Sequence, residues 1–228
     1  METGALTRAF VLHTRRYGDT SLLAELFSET LGRVVCVAKG ALSAKRTATR
    51  LQPFQPLLVG LRGRGEVRTL TRLEPDGPGL RLAGRMLYCG LYLNELMLKM
   101  TAREDPLPGL FARYEEVLGL LRQDGTVEPV LRRFEVGLLK ELGHGLVLDV
   151  DAEGEPIDGQ TRYTYRVDSG PAATVSETSP SYAGETFHAL LHGRFNTPEI
   201  QREARVFMRE VLDHYLNGQP IRSRDLFR

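Results

Sequence analysis

Apolar positions in the first eighty residues come in short runs broken by glycine, proline and charge. Residues 8–14, 21–27, 32–38, 56–61 and 66–73 are each short, apolar and β-prone. Tyr17-Gly18-Asp19, Lys39-Gly40 and Arg62-Gly63-Arg64-Gly65 read as the turns between them. Five short strands in so short a stretch predict a small barrel or sandwich. In the last strand Val67, Thr69 and Thr71 alternate with Arg68, Leu70 and Arg72, so the two arginines are expected to share a face.

Pro75-Asp76-Gly77-Pro78-Gly79 breaks the pattern, and the period then becomes helical. Leu87, Leu91, Leu96 and Met100, broadened by Tyr88, Tyr92 and Leu98, predict a helix over 82–100. A second is expected over 107–121. A third opens at Glu128 or Pro129 and runs to Gly143, with Leu131, Phe134, Leu138 and Leu142 on one face. Residues 149–182 form an acidic, turn-rich insert at first, with a strand at 161–167 that 172–175 can pair. Helices follow at 186–194 and 198–215, the last with Pro198 at a first-turn position. Residues 222–228 read as a short tail. The expected architecture is α+β: a barrel domain over 1–80, then a mainly helical domain over 81–228 with the small β-like insert.

Composition alters this picture little. Of 228 residues, 42% are hydrophobic and 26% charged, the balance of an ordinary globular chain. No apolar run is long enough to cross a membrane, and Met1-Glu2-Thr3-Gly4 does not open a secretory leader, so a cytoplasmic location is expected. Cys36 and Cys89 sit in apolar settings and predict buried free thiols; two cysteines cannot build a four-cysteine zinc site.

Charge placement is more informative than the net +1. Residues 1–80 carry 12 basic against 7 acidic side chains, a net +5; the rest carry 18 against 22, a net −4. Between positions 33 and 72, nine basic residues (Arg33, Lys39, Lys45, Arg46, Arg50, Arg62, Arg64, Arg68 and Arg72) face one acid, Glu66. Such an excess predicts a polyanion as partner.

Enzyme chemistry finds no foothold. There is no phosphate-binding Gly-x-x-x-x-Gly-Lys motif, and no helix signal follows Arg62-Gly63-Arg64-Gly65. His13, His144, His188, His192 and His214 are scattered. His188 and His192 could face one way on a helix, but no third ligand accompanies them, and a surface pair is the reading adopted. Glu115-Glu116 and Asp149/Asp151 read as solvated acids. No catalytic residue, metal or cofactor is assigned. Two other readings stay open: a scaffold whose basic barrel contacts an acidic protein, and a nucleic-acid enzyme with an acidic metal site.

Several blocks together resemble one family. They are Arg8-Ala9-Phe10-Val11-Leu12, Gly18-Asp19-Thr20-Ser21, Gly32-Arg33, Val37-Ala38-Lys39-Gly40-Ala41, Leu51-Gln52-Pro53-Phe54 and Gly63-Arg64-Gly65-Glu66. Leu91-Tyr92-Leu93-Asn94-Glu95-Leu96, Leu131-Arg132-Arg133-Phe134-Glu135 and Ser223-Arg224-Asp225-Leu226-Phe227 continue the series. In order and spacing they resemble the RecO family of bacterial DNA repair proteins, from one end of the chain to the other. The resemblance implies an N-terminal OB-fold, binding of single- and double-stranded DNA, annealing of complementary strands, and help in loading RecA onto DNA coated with single-stranded-DNA-binding protein, together with RecR. Many members carry a four-cysteine zinc site after the third helix; 149–175 here has no cysteine, so the chain resembles the zinc-free branch.

On an OB barrel the nine cations are the expected DNA-binding residues, with Tyr17 and Phe54 as candidate stacking rings. The resemblance also implies a receptor for the acidic C-terminal tail of single-stranded-DNA-binding protein. That receptor needs an apolar pocket with cations at its rim. The third helix offers Arg133 and Lys140 on one stripe around Gly137, Arg132 beside them, and Leu131, Phe134 and Leu138 on the adjoining face. An amphipathic core helix with a charged outer side is the other reading of that pattern.

Overall fold

The computed structural model describes residues 5–43, 51–123, 126–174 and 180–227. The chain divides into two compact units, Met1–Asp124 with Ile221–Arg228, and Gly125–Pro220.

Five strands open the first unit: β1 (Thr7–Tyr17), β2 (Ser21–Ser28), β3 (Gly32–Ala38), β4 (Pro56–Arg62) and β5 (Val67–Pro75). Each lies where the alternation placed it. They close into a barrel in the order β1-β2-β3-β5-β4, with β3 and β5 parallel and the other neighbours antiparallel. This is a five-stranded OB-like barrel. Small and branched side chains fill the interior, among them Ala9, Val11, Ala24, Leu26, Val34, Cys36, Leu57 and Val59. Cys36 and Cys89 are buried free thiols, and burial pushes the Cys36 thiol up to about 12.

One expectation on β5 fails. Gly60 faces Arg72 and Leu61 faces Leu70, so Thr71 is an extra residue, and its hydroxyl donates to the Gly60 carbonyl at 3.0 Å. The bulge reverses the alternation. Leu70 and Leu73 therefore both pack against the barrel core. Arg68 shares the Leu70 face, and Arg72 points the other way.

The helices α1 (Gly84–Met100) and α2 (Pro108–Leu121) follow. Outward-facing rings of the barrel meet α2: Phe10 lies 5.4 Å from Phe111 and 5.2 Å from Tyr114, and Phe27 lies 5.7 Å from Phe111. A buried polar chain runs through this contact. The Tyr114 hydroxyl donates to Asn94 Oδ1 at 2.5 Å, and Asn94 Nδ2 donates to the Leu12 carbonyl at 2.9 Å, where β1 is bulged. Loss of one member would strand the next, at about 1–3 kcal/mol. Phe54 is buried at φ 67°, against Gly90, where a Cβ would lie 2.8 Å from the ring. It is core rather than a stacking candidate, because the backbone after 51 turns its ring inward.

The last residues are more than a tail. Arg222–Phe227 forms a 3-10 helix whose start is anchored by the Glu95 carboxylate. Glu95 accepts from Arg222 N at 3.0 Å and from Ser223 N and Oγ at 2.8 and 2.7 Å, and pairs with Lys99 at 3.0 Å. Burial alone would raise the Glu95 pKa; the hydrogen bonds from Ser223, Arg222 and Lys99 outweigh it and bring it to about 2.

The second unit contains α3 (Val127–Glu141), the strands β6 (Arg162–Arg166), β7 (Gly170–Ala173) and β8 (Tyr182–Ala183), then α4 (Gly184–His192) and α5 (Pro198–Tyr215). The strands form an antiparallel sheet in the order β7-β6-β8. Tyr163 and Tyr165, two apart on β6, pack on Phe187 at 6.1 and 5.9 Å, and Phe207 lies 4.8 Å from Tyr165. Glu203 of α5 secures β8 and α4, accepting from Ala183 N at 2.9 Å and from the Thr186 hydroxyl. Pro198 stands in the first turn of α5, after a Thr197 cap that accepts from Ile200 N at 3.3 Å. The strand β8 carries no sequence signal, since two residues are too few for a period.

Candidate nucleic-acid interface

The barrel uses its cations in two ways. On one flank they are locked. Residues 101–105, between α1 and α2, lie along the start of β3, where Arg33 and Arg103 form a parallel bridge and Glu104 N donates to Arg33 O at 2.9 Å. The Arg33 side chain donates to the Thr101 carbonyl at 3.2 and 2.9 Å and pairs with Glu25 at 2.9 Å. Arg103 reaches Glu25 at 3.5 Å, and Arg68 meets Glu104 at 2.7 Å. Gly32 makes the close approach possible: its φ is 67°, and a Cβ there would lie 2.0 Å from the Asp105 carbonyl oxygen. Arg8 is held likewise, by Asp76 at 2.7 Å and by Glu115, and its guanidinium stands over the Phe111 ring.

The basic excess of residues 33–72 is therefore smaller in the folded chain than along the sequence. Glu25, Glu74 and Glu104 come from outside the window or from its edge and meet Arg33, Arg72 and Arg68. Arg33 is largely enclosed, with 13% of its side chain exposed. The Arg72–Glu74 pair is solvent-exposed and contributes little. Lys45, Arg46 and Arg50 lie outside the described residues.

Five other cations stand apart from these pairs. Arg15 and Arg16 near the end of β1, Lys39 just after β3, and Arg62 and Arg64 at the β4–β5 hairpin are all exposed. Among the described residues none of the five has an ion-pair partner. Register places them. Arg15 pairs with Leu23, Leu23 with Val37, Val37 with Thr69 and Thr69 with Arg62. These partners share the outer face of the barrel, because Leu22, Ala24, Cys36 and Ala38 point inward. Four strand steps of about 4.8 Å put roughly 19 Å of sheet between Arg15 and Arg62. A neutral row is thus bracketed by cationic hairpins. Asp19 and Glu66 are the exposed acids in those two turns. Arg15 and Arg16 precede the basic window; only tertiary pairing shows that Arg15 joins Arg62.

The expected tail-binding residues separate as well. On α3, Arg133 and Lys140 are exposed, with Val136 half-buried and Gly137 buried between them. Arg133 donates to the Gly193 carbonyl at 2.7 Å, at the C-terminal end of α4. Arg132 is 5% exposed and pairs with Glu135, 0% exposed, at 2.6 Å. Leu131, Phe134 and Leu138 are buried. His188 and His192 do face one way, 6.4 Å apart, and His188 Nε2–H donates to the Ile157 carbonyl at 3.0 Å. Among the described residues no cluster of three His, Cys, Asp or Glu side chains is placed to hold a metal ion, and no helix is long and apolar enough to cross a membrane.

Comparison with known proteins decides the family. The family model described as Recombination protein O N terminal matches residues 1–77, and that described as Recombination protein O C terminal matches 81–225. The chain belongs to the RecO family of DNA repair proteins. It is 45% identical to the DNA repair protein RecO of Aromatoleum aromaticum over 222 residues, covering 95% of this chain and 92% of the relative. It is 44% identical to the RecO of Methylococcus capsulatus over 225 residues, covering 98% and 93%. It is also 44% identical to that of Shigella flexneri over 224 residues, covering 97% and 93%. Several of the blocks by which the sequence resembles RecO proteins turn out to be framework: Gly32-Arg33 seats residues 101–105, Asn94-Glu95 holds β1 and the closing 3-10 helix, and Ser223 is the partner of Glu95.

Proposed function

We propose that this chain is a recombination mediator without catalytic activity of its own. It binds single- and double-stranded DNA, anneals complementary strands, and with RecR helps load RecA onto DNA coated with single-stranded-DNA-binding protein. The observation that carries the DNA surface is the set of five cations, Arg15, Arg16, Lys39, Arg62 and Arg64, that have no ion-pair partner among the described residues, with Arg15 and Arg62 bracketing one outer row of the barrel. Free cations attract phosphates at no cost in broken ion pairs, and arginines placed on both sides of a neutral row fit a backbone that crosses it. Annealing follows from the same surface, since a cationic protein holding two strands lowers their repulsion. Arg72 belongs to the margin of the surface, while Arg33 and Arg68 support it from the locked flank. The tail of single-stranded-DNA-binding protein is assigned to the exposed Arg133 and Lys140 stripe of α3, with Val136 between them. Arg132, Leu131, Phe134 and Leu138 support that stripe from below.

The test is annealing of two complementary oligonucleotides coated with single-stranded-DNA-binding protein. The intact chain is compared with one carrying Arg15, Arg16, Arg62 and Arg64 changed to Ala. Rapid annealing that the variant loses supports the reading. Annealing by both moves the DNA surface elsewhere, and none by the intact chain removes the mediator function. Arg133→Ala with Lys140→Ala is expected to lose the advantage on coated strands while annealing bare ones normally.

A further inference from the structure

Among the described residues Tyr17 is the most exposed large apolar side chain on the barrel, with 54% of its surface in water. It ends β1, pairs with Ser21, and stands two residues from Arg15 on the same outer face. Among the described residues its ring has no aromatic, cationic or hydrogen-bonding partner. The locked flank shows what this barrel does with rings that serve packing: Phe10 and Phe27 are fully buried against Phe111 and Tyr114. Phe54, the other ring near the basic segment, is buried too.

We infer that Tyr17 is a base-stacking residue that makes the barrel surface prefer single-stranded over duplex DNA. This rests on the proposed DNA surface and deepens it. Arginines alone read phosphate and treat duplex and single strand alike apart from charge density. A flat ring beside them adds attraction for a base whose face is open, and in a duplex those faces are stacked on one another. Arg15 on the same face and Arg16 on the next residue hold the backbone while the ring receives the base. Asp19, in the turn beyond, disfavours a second phosphate there and leaves the ring to the base.

The chain contains no tryptophan, so Tyr17→Trp introduces a single fluorophore at the site. The probes are an oligothymidine strand, a blunt duplex, and an abasic strand that keeps the phosphates but has no bases. The indole fluorescence of the Tyr17→Trp variant should be quenched by oligothymidine and not by the abasic strand. Tyr17→Ala should weaken oligothymidine binding at least about fivefold while leaving the abasic strand and the duplex within twofold, and Tyr17→Phe should bind like the intact chain. Equal losses on all three probes, or no loss on oligothymidine, would overturn the inference. If the variant of Arg15, Arg16, Arg62 and Arg64 still binds every probe normally, the DNA surface itself is misplaced. If that variant fails and Tyr17→Ala does not, the stacking role alone is wrong.

Discussion

The two flanks of the barrel carry the same kind of residue and put it to opposite uses. Where β3 meets residues 101–105, Arg33, Arg68 and Arg103 are tied to Glu25, Glu104 and the Thr101 carbonyl. At the two hairpins Arg15, Arg16, Arg62 and Arg64 meet no partner among the described residues. An arginine held by a carboxylate and a carbonyl has its field cancelled nearby and contributes to folding. One left in water contributes almost nothing to folding and keeps its charge for a ligand. A basic stretch thus becomes a binding surface only after the acids that folding brings to it are subtracted.

The sharpest break between the flanks is at Gly32. Gly32→Val should destabilise the barrel by about 3 kcal/mol or more, because it adds a Cβ into the Asp105 carbonyl and strains a left-handed backbone. A urea melt measures this; an unchanged midpoint would mean that residues 101–105 are not seated on β3. Arg33→Ala comes next, at about 2–3 kcal/mol, since it leaves Glu25 and the Thr101 carbonyl short of donors. Its DNA affinity should change little when measured under folding conditions. A large loss in affinity with normal stability would place Arg33 with the free arginines.

Glu95→Gln tests the closing 3-10 helix. The carboxyl titrates at about 2 in the folded chain, below its ordinary 4.5. A depressed acid stabilises fully above its unfolded value and loses that contribution as pH falls through the folded one. The difference between intact and variant chains should therefore be greatest near neutrality, about 1–2 kcal/mol after allowance for solvent screening. It should shrink as pH falls from 4.5 to about 2. A difference that grows on acidification contradicts the assignment. Changing Arg15, Arg16, Arg62 and Arg64 together to Ala should alter stability least for each residue changed, by no more than about 0.5 kcal/mol apiece. The same variant should lower the salt slope of single-strand binding by roughly 0.7 for each phosphate it no longer neutralises. A strongly destabilised variant would show that these arginines, too, serve the fold. Cys36, with its thiol pushed up to about 12, should not react with a thiol reagent until the barrel opens.

Alternation and turn residues placed the five barrel strands and the five α-helices of the described residues within a few residues, because each is a local pattern with a period of its own. The buried state of both cysteines also followed from their apolar settings. Closure into a barrel was one of two arrangements that the strand pattern allowed, and the family resemblance selected it. That family was legible in short blocks spread along the whole chain. The residues that matter for binding were harder to see. The bulge at Thr71 separated Arg68 from Arg72, since one unpaired residue reverses a strand's alternation and leaves no mark in composition. Arg15 joined Arg62 across four strand steps, a pairing set by register between segments far apart in the chain. Arg132, beside the exposed Arg133, went inside to meet Glu135. Periodicity tells which residues lie on a face; which charges on that face stay free depends on what other segments bring within a few ångströms, and only the folded chain decides that.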